Sequence, residues 1–177
     1  MKNLIILFLS IGLFSCSNSS SPTSDSKVVD APVVEEPKTY TEISWAKMDN
    51  IEALVAKNPK KILVDVYTSW CGPCKMMDKN TFTNDMIINK VSKNFHAVKF
   101  NAEGPDAITF QGKEYANPGY KPNVRGRNGL HQLSRFFQVP GYPTLVVMDE
   151  NMKILGQIVG YKKPDQLSAE LAHYLKK

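Results

Sequence analysis

The sequence lacks several features that would assign its class at once. Its 177 residues include only three cysteines and three histidines, and its lysines and arginines are dispersed although the net charge is +5. Three cysteines are too few for a disulfide scaffold, so each must be explained separately. Dispersed cations do not form the basic stripe of a nucleic-acid-binding surface, and we predict no nucleic-acid partner. With 42% hydrophobic residues, the chain can bury a core without cross-links.

No hydrophobic run reaches the ~20 residues that a membrane-spanning helix needs. The apolar run at residues 4–14 follows Lys2 and has the length of a signal-peptide core. It ends in Leu13-Phe14-Ser15-Cys16, which resembles the bacterial lipobox, whose cysteine becomes the lipidated first residue of the mature chain. We therefore predict a signal peptide at 1–15 and membrane attachment through Cys16, on the periplasmic side. The alternative is an ordinary signal peptide in which Cys16 is incidental.

Residues 16–39 are rich in serine, proline, aspartate, glutamate and valine. Such a segment cannot bury enough apolar surface to order itself, so we predict a flexible linker. Its root-mean-square reach would be roughly 25–30 Å. The folded domain is then expected at 40–177.

Hydrophobic spacing predicts helices that alternate with short strands through the domain. Helices are expected from a cap at Ser44, from the cysteine pair to about residue 80, and over 85–93, 130–137 and 164–177; strands are expected over 62–67, 95–101, 144–148 and 153–159. This order indicates an α/β fold with a central mixed sheet covered by helices on both faces.

Residues 102–129 follow no helical or strand period and contain five of the ten glycines. Loops of this length are uncommon in compact domains and often have a function. We interpret the segment as an insertion and hypothesise a substrate-selecting flap that uses Tyr115, Tyr120, Arg125 and Arg127. The alternative is a loop with no role in selection.

The segment Trp70-Cys71-Gly72-Pro73-Cys74 carries the chemistry. It follows a predicted strand and opens a predicted helix, where the helix dipole and free N–H groups lower a thiol pKa. Cys71 would attack a disulfide and Cys74 would resolve the mixed disulfide. The alternative is half of a zinc site, but structural zinc needs four ligands and the chain has no second such pair, so we predict no metal.

Asp65 lies in an otherwise apolar strand, six residues before Cys71. Burial of an unpaired carboxylate is costly and raises its pKa. Such a group beneath the helix could accept the proton of Cys74. The alternative is an exposed position on the strand. His96 and His131 are interpreted as surface or capping residues, and Lys75 as a surface lysine.

Residues 63–76 resemble the active-site block of the thioredoxin superfamily, and residues 139–144 resemble its second hallmark, a loop with a cis-proline that faces the cysteines. The resemblance implies a thioredoxin-like fold, with the insertion before the cis-proline loop. By position, Pro143 would be the cis residue, and the backbone of Tyr142 would pair with the substrate chain. Trp70 would either line the contact surface or pack in the core. The implied substrate-binding residues are Trp70, Gly72, Pro73, Tyr142 and Pro143.

The resemblance implies a thiol–disulfide oxidoreductase that needs no cofactor beyond its cysteines. Gly72-Pro73 resembles reducing thioredoxins, so we predict a monomeric reductase of extracytoplasmic protein disulfides, recharged by a transmembrane or other thiol electron donor. The alternatives are a disulfide-donating oxidase or isomerase, and a chaperone-like module that binds peptides in the cis-proline groove.

Overall fold

The centre of the fold is strand β2, Lys61–Tyr67, in a computed structural model that describes residues 39–176. On one side β2 pairs in parallel with β3 (Phe95–Asn101), which pairs in parallel with β1 (Trp45–Ala46). On the other side it pairs antiparallel with β6 (Thr144–Met148), which pairs antiparallel with β7 (Ile154–Val159). The mixed central sheet predicted from the sequence is confirmed.

Helices cover both faces of this sheet. Side chains alternate between the faces along a strand, so Ile62, Val64 and Val66 of β2 face one core while Leu63 faces the other. The first core is closed by α1 (Ile51–Lys57) and α4 (Gln132–Phe136), and the second by α2 (Gly72–Asn80), α3 (Asp85–Asn94) and α5 (Pro164–Leu175).

The predicted first helix is present as α1, but its expected start and its cap at Ser44 are wrong. Trp45 and Ala46 instead extend the sheet edge beside Ala97 and Val98, and a 3₁₀ turn at Met48–Asn50 precedes α1. The backbone groups on the open edge of β3 need hydrogen-bond partners, and this short strand supplies them. The helical spacing of the apolar residues did not reveal that requirement.

The segment 102–129 divides into two parts. Its first part contains a hairpin of β4 (Ile108–Phe110) and β5 (Lys113–Tyr115), whose apolar side chains lie in the first core. Tyr115 is therefore buried, and the prediction that it serves a flap is wrong. The hairpin was missed because each strand has only three residues. The second part, from residue 118 onward, is mostly exposed.

The predicted leader, the lipidation at Cys16 and the linker up to residue 38 lie outside the described residues. Within residues 39–176, no helix combines the length and the hydrophobicity needed to cross a bilayer.

Candidate active site

Cys71 and Cys74 form a disulfide at the start of α2, with their Cα atoms 5.3 Å apart. Cys71 caps the helix, because its Sγ accepts a hydrogen bond of 3.1 Å from the backbone N–H of Cys74. Pro73 fits the first turn, where no intrahelical N–H bond is required. Both cysteines are buried, whereas Gly72 and Pro73 between them are exposed. When the disulfide is reduced, the same N–H group and the helix dipole would favour a thiolate at Cys71.

Asp65 is buried on the face of β2 that α2 covers, with 2% of its surface exposed. Its Oδ2 accepts a hydrogen bond of 2.5 Å from Lys99 Nζ, and its Oδ1 has no hydrogen-bond partner among the described residues. Burial raises the pKa of the Asp65 carboxyl, and the charge of Lys99 only partly opposes this. The alternative of an exposed strand position is wrong, and the carboxyl group is paired with Lys99 rather than unpaired.

Lys99 is a site residue that the sequence reasoning missed. It lies directly opposite Asp65 in the parallel pairing of β2 and β3, so both side chains reach the same face of the sheet. Its ammonium group also forms an ion pair with Asp78 of α2 and lies 4.7 Å from the ring centroid of Trp45. Burial disfavours the charge on Lys99, but the two carboxylates together raise its pKa. The pairing of Lys99 with Asp65 could be predicted only if the register between β2 and β3 were known.

The peptide bond between Tyr142 and Pro143 is cis, as the resemblance implied. It lies immediately before β6, in the loop that the resemblance places opposite the cysteines. The ring of Tyr142 meets the ring of Trp70 edge to face, with centroids 5.9 Å apart. Burial, and then the charge of Glu103, raise the pKa of the Tyr142 phenol. Tyr142 therefore packs against Trp70, the residue that precedes Cys71 in the chain.

Trp70 is half-buried and is tied to the insertion rather than to the core. Its Nε1–H donates a hydrogen bond of 2.8 Å to Glu103, and the same carboxylate oxygen accepts one of 2.9 Å from the N–H of Asn128. The guanidinium of Arg127 lies 4.7 Å from the Trp70 ring centroid. The insertion thus contacts the site through Arg127, and Glu103 is a second residue that the sequence reasoning missed.

The remaining candidates have structural positions. His131 is buried and caps α4 by accepting from the N–H of Leu133 at 3.1 Å, so its capping role is confirmed and its surface placement is wrong. Lys75 is exposed, as expected, and the His96 ring bonds the carbonyl of Asn58 at 2.7 Å. Within residues 39–176, no group of three histidine, cysteine or acidic side chains is arranged to hold a metal ion.

Comparison with known proteins agrees with this geometry. The family model described as a thioredoxin-like domain matches residues 48–175. The chain is 24% identical over 131 residues to the thiol:disulfide interchange protein DsbD of Pectobacterium atrosepticum, covering 73% of this chain and 19% of that protein. It is 38% identical over 108 residues to the chloroplastic thioredoxin M2 of Arabidopsis thaliana, covering 61% and 48%.

A solved thioredoxin from Thermus thermophilus superposes with a TM-score of 0.56 at 16% identity, covering 76% of this chain and 88% of the thioredoxin. This likeness shows the fold. The chain spans about a fifth of the length of the DsbD protein and about half of thioredoxin M2. The family match over most of the chain, the cysteine pair that caps α2 and the cis-proline before β6 all agree. The chain therefore belongs to the thioredoxin-like family of thiol–disulfide oxidoreductases.

Proposed function

We propose that this protein reduces disulfide bonds in extracytoplasmic proteins. The observation that carries the proposal is the pair Cys71–Cys74 at the N-terminus of α2, the helix that covers the sheet face on which the carboxyl group of Asp65 is buried. A helix N-terminus favours the thiolate needed for attack, and burial raises the pKa of the Asp65 carboxyl, so that group holds a proton more readily than an exposed carboxyl does.

The reaction follows from these positions. The thiolate of Cys71 attacks a substrate disulfide, one substrate sulfur leaves as a thiolate, and a mixed disulfide forms. Asp65 then takes the proton of the Cys74 thiol, and the Cys74 thiolate attacks Cys71 Sγ. The Cys71–Cys74 disulfide closes as the second substrate sulfur leaves as a thiolate. The substrate has gained two electrons, and its two thiolates take up one proton from Asp65 and one from solvent. A thiol electron donor, which we place in the membrane, returns the pair to the dithiol.

Sequence features support the direction and the location. Gly72-Pro73 between the cysteines resembles the reducing thioredoxins, and thioredoxin M2 is among the similar sequences. The apolar leader and the lipobox-like Leu13-Phe14-Ser15-Cys16 support lipid anchoring outside the cytoplasm. The similarity to a thiol:disulfide interchange protein supports protein disulfides as substrates and a thiol as electron donor.

The redox potential of the pair tests the direction. A potential of about −270 mV for the Cys71–Cys74 pair is expected of a reductant, and a potential of about −120 mV would indicate an oxidant instead.

Trapping in the intact host tests substrate and location together. A Cys74→Ala variant cannot resolve the mixed disulfide, so it should retain secreted or membrane-exposed proteins covalently on Cys71. The control is the double variant Cys71→Ala with Cys74→Ala, which should retain none. Capture of cytoplasmic proteins alone would contradict the location, and no difference from the control would contradict the enzymatic role.

A further inference from the structure

The second part of the insertion carries charge of one sign. We call residues 118–127 the basic loop; it contains Lys121, Arg125 and Arg127 and has no aspartate or glutamate. All three cations are exposed. A shallow depression of about 400 Å³ lies on this loop, and its walls include Lys121 and Arg127. The loop therefore presents a concave, positively charged surface.

Hydrogen bonds from Asn117 and Asn128 hold the two ends of the basic loop together, and we call this part of the structure the neck. The side chain of Asn128 accepts from the N–H of Lys121 and donates to its carbonyl, both at 2.8 Å. The Asn117 amide donates to the carbonyls of Gly104 at 3.0 Å and Gly129 at 2.7 Å. These bonds tie both ends of the loop to the domain, so the loop backbone is held on the side of the domain that carries Trp70.

The same neck joins the loop to the active site. One carboxylate oxygen of Glu103 accepts hydrogen bonds from both the Trp70 Nε1–H and the backbone N–H of Asn128. Arg127 packs on Trp70, the residue that precedes Cys71. A substrate chain that lies against Trp70 and Tyr142 would therefore run beside Arg127.

The charges of the loop have no counterpart within the described chain. Across residues 39–176, no ion pair and no side-chain hydrogen bond engages Lys121, Arg125 or Arg127. The nearby carboxylate of Glu103 already accepts two hydrogen bonds. A guanidinium close to an aromatic ring can still donate its N–H groups to an anion, and a carboxylate can accept two parallel hydrogen bonds from it.

We propose that the basic loop is a substrate-selecting surface that binds aspartate or glutamate side chains flanking the disulfide-bonded cysteine of the substrate. The partner is thus an acidic, extended segment that pairs with the Tyr142 backbone and places its carboxylates against the loop. This inference rests on the proposed disulfide reductase function and names its substrate class.

The test compares two synthetic peptides, each with one internal disulfide, that differ only in carrying glutamate or glutamine on both sides of one cysteine. The protein purified from its host is reduced, and the rate constant for reduction of each peptide is measured in a single turnover. At 20 mM salt the glutamate peptide should react about five- to ten-fold faster, as a few exposed ion pairs allow. At 300 mM salt the preference should shrink, because exposed charges are screened.

A variant in which Lys121, Arg125 and Arg127 are each changed to glutamine should bring the ratio of the two rate constants to within about two-fold of unity. The control removes the same charge at the other end of the sheet, with Lys57→Gln, Lys93→Gln and Lys153→Gln. These three lysines are exposed. Lys57 precedes β2, Lys93 precedes β3 and Lys153 follows β6, so all three lie at the end of the sheet opposite the cysteines, and their loss should leave the ratio unchanged.

The outcomes separate the two proposals. If wild-type protein reduces both peptides at equal rates, or if the control variant loses the preference as fully as the loop variant, the loop proposal is overturned while the reductase function stands. If wild-type protein reduces neither peptide, the proposed function fails first.

Discussion

Replacing Lys99 by methionine tests whether the ion pair of Lys99 with Asp65, beneath α2, stabilises the ionised Asp65 carboxylate. Methionine keeps the length of the side chain and fits the rings of Trp45, Tyr67 and Phe82, which lie 4.7–5.2 Å from the ammonium group. It removes the hydrogen bond of 2.5 Å to Asp65. The substitution therefore leaves a carboxylate with 2% exposure and no partner.

The size of the effect depends on pH, and its sign follows from the pKa of Asp65. Because that pKa is raised in the folded state, Asp65 is protonated in both folded and unfolded protein well below the ordinary value of 3.8, where the loss of Lys99 matters little. At pH values above the folded-state pKa of Asp65, the folded Lys99→Met variant must either hold an unpaired carboxylate or bind a proton. The free energy of unfolding should then fall by about 2 kcal/mol at pH 8, the loss of one hydrogen bond to a charged group.

Thermal unfolding of the oxidised protein measures this effect. For a domain of this size, about 2 kcal/mol corresponds to a fall in Tm of about 6–10 °C at pH 8. Near pH 3 the fall should be under about 2 °C, since Asp65 is then protonated and the remaining pair with exposed Asp78 is worth little. Lys60→Met is the matched control, because Lys60 donates to the carbonyl of Ser92 at 3.2 Å and so loses stability equally at both pH values. Equal losses at pH 3 and pH 8 for Lys99→Met would refute the reasoning.

Two further substitutions test the neck of the basic loop and the proton acceptor. A Cβ added at Gly129 would lie 2.3 Å from the carbonyl carbon of Gly119, so Gly129→Ala should lower the free energy of unfolding in urea by about 1–3 kcal/mol. A Cβ added at Gly119 would stay 3.4 Å from its nearest neighbour, so Gly119→Ala should lower it little. An equal cost for both would contradict the packing at the neck. Asp65→Asn should slow resolution of the mixed disulfide by Cys74 at least about tenfold at pH 7, as measured by quenched-flow chromatography. Because the raised pKa of Asp65 lowers wild-type stability as pH increases, the unfolding free energy of the variant should rise relative to wild type above about pH 4. An unchanged release rate would remove Asp65 from the proton transfer.

Local pattern was enough to predict the centre of the fold. Residues 62–67 form an apolar run interrupted only by Asp65, and the helix that begins at the cysteine pair ends at Asn80, as expected. The cis-proline was predicted through the resemblance, because residue composition alone favours a trans bond at Pro143. These features depend on residues close together in the chain.

The parts that sequence reasoning missed depend on residues far apart. Lys99 lies 34 positions from Asp65, and Glu103 lies 33 positions from Trp70; each pair forms only once strand register and loop path are set. Trp45 was assigned to a helix because its spacing fits one, although the open edge of β3 holds it in a strand. Side-chain periodicity reports which face is buried, and it does not report which distant backbone needs a partner.

The braced neck at Gly119 and Gly129 has a consequence for how substrate choice could change. Because the hairpin before it belongs to the core and the neck is fixed by Asn117 and Asn128, the residues between can vary without disturbing the fold. Doubling the length of a flexible loop costs only about 0.6 kcal/mol of closure entropy. The segment 120–127 is thus an exchangeable cassette, into which a different recognition sequence could be grafted beside an unchanged pair of cysteines.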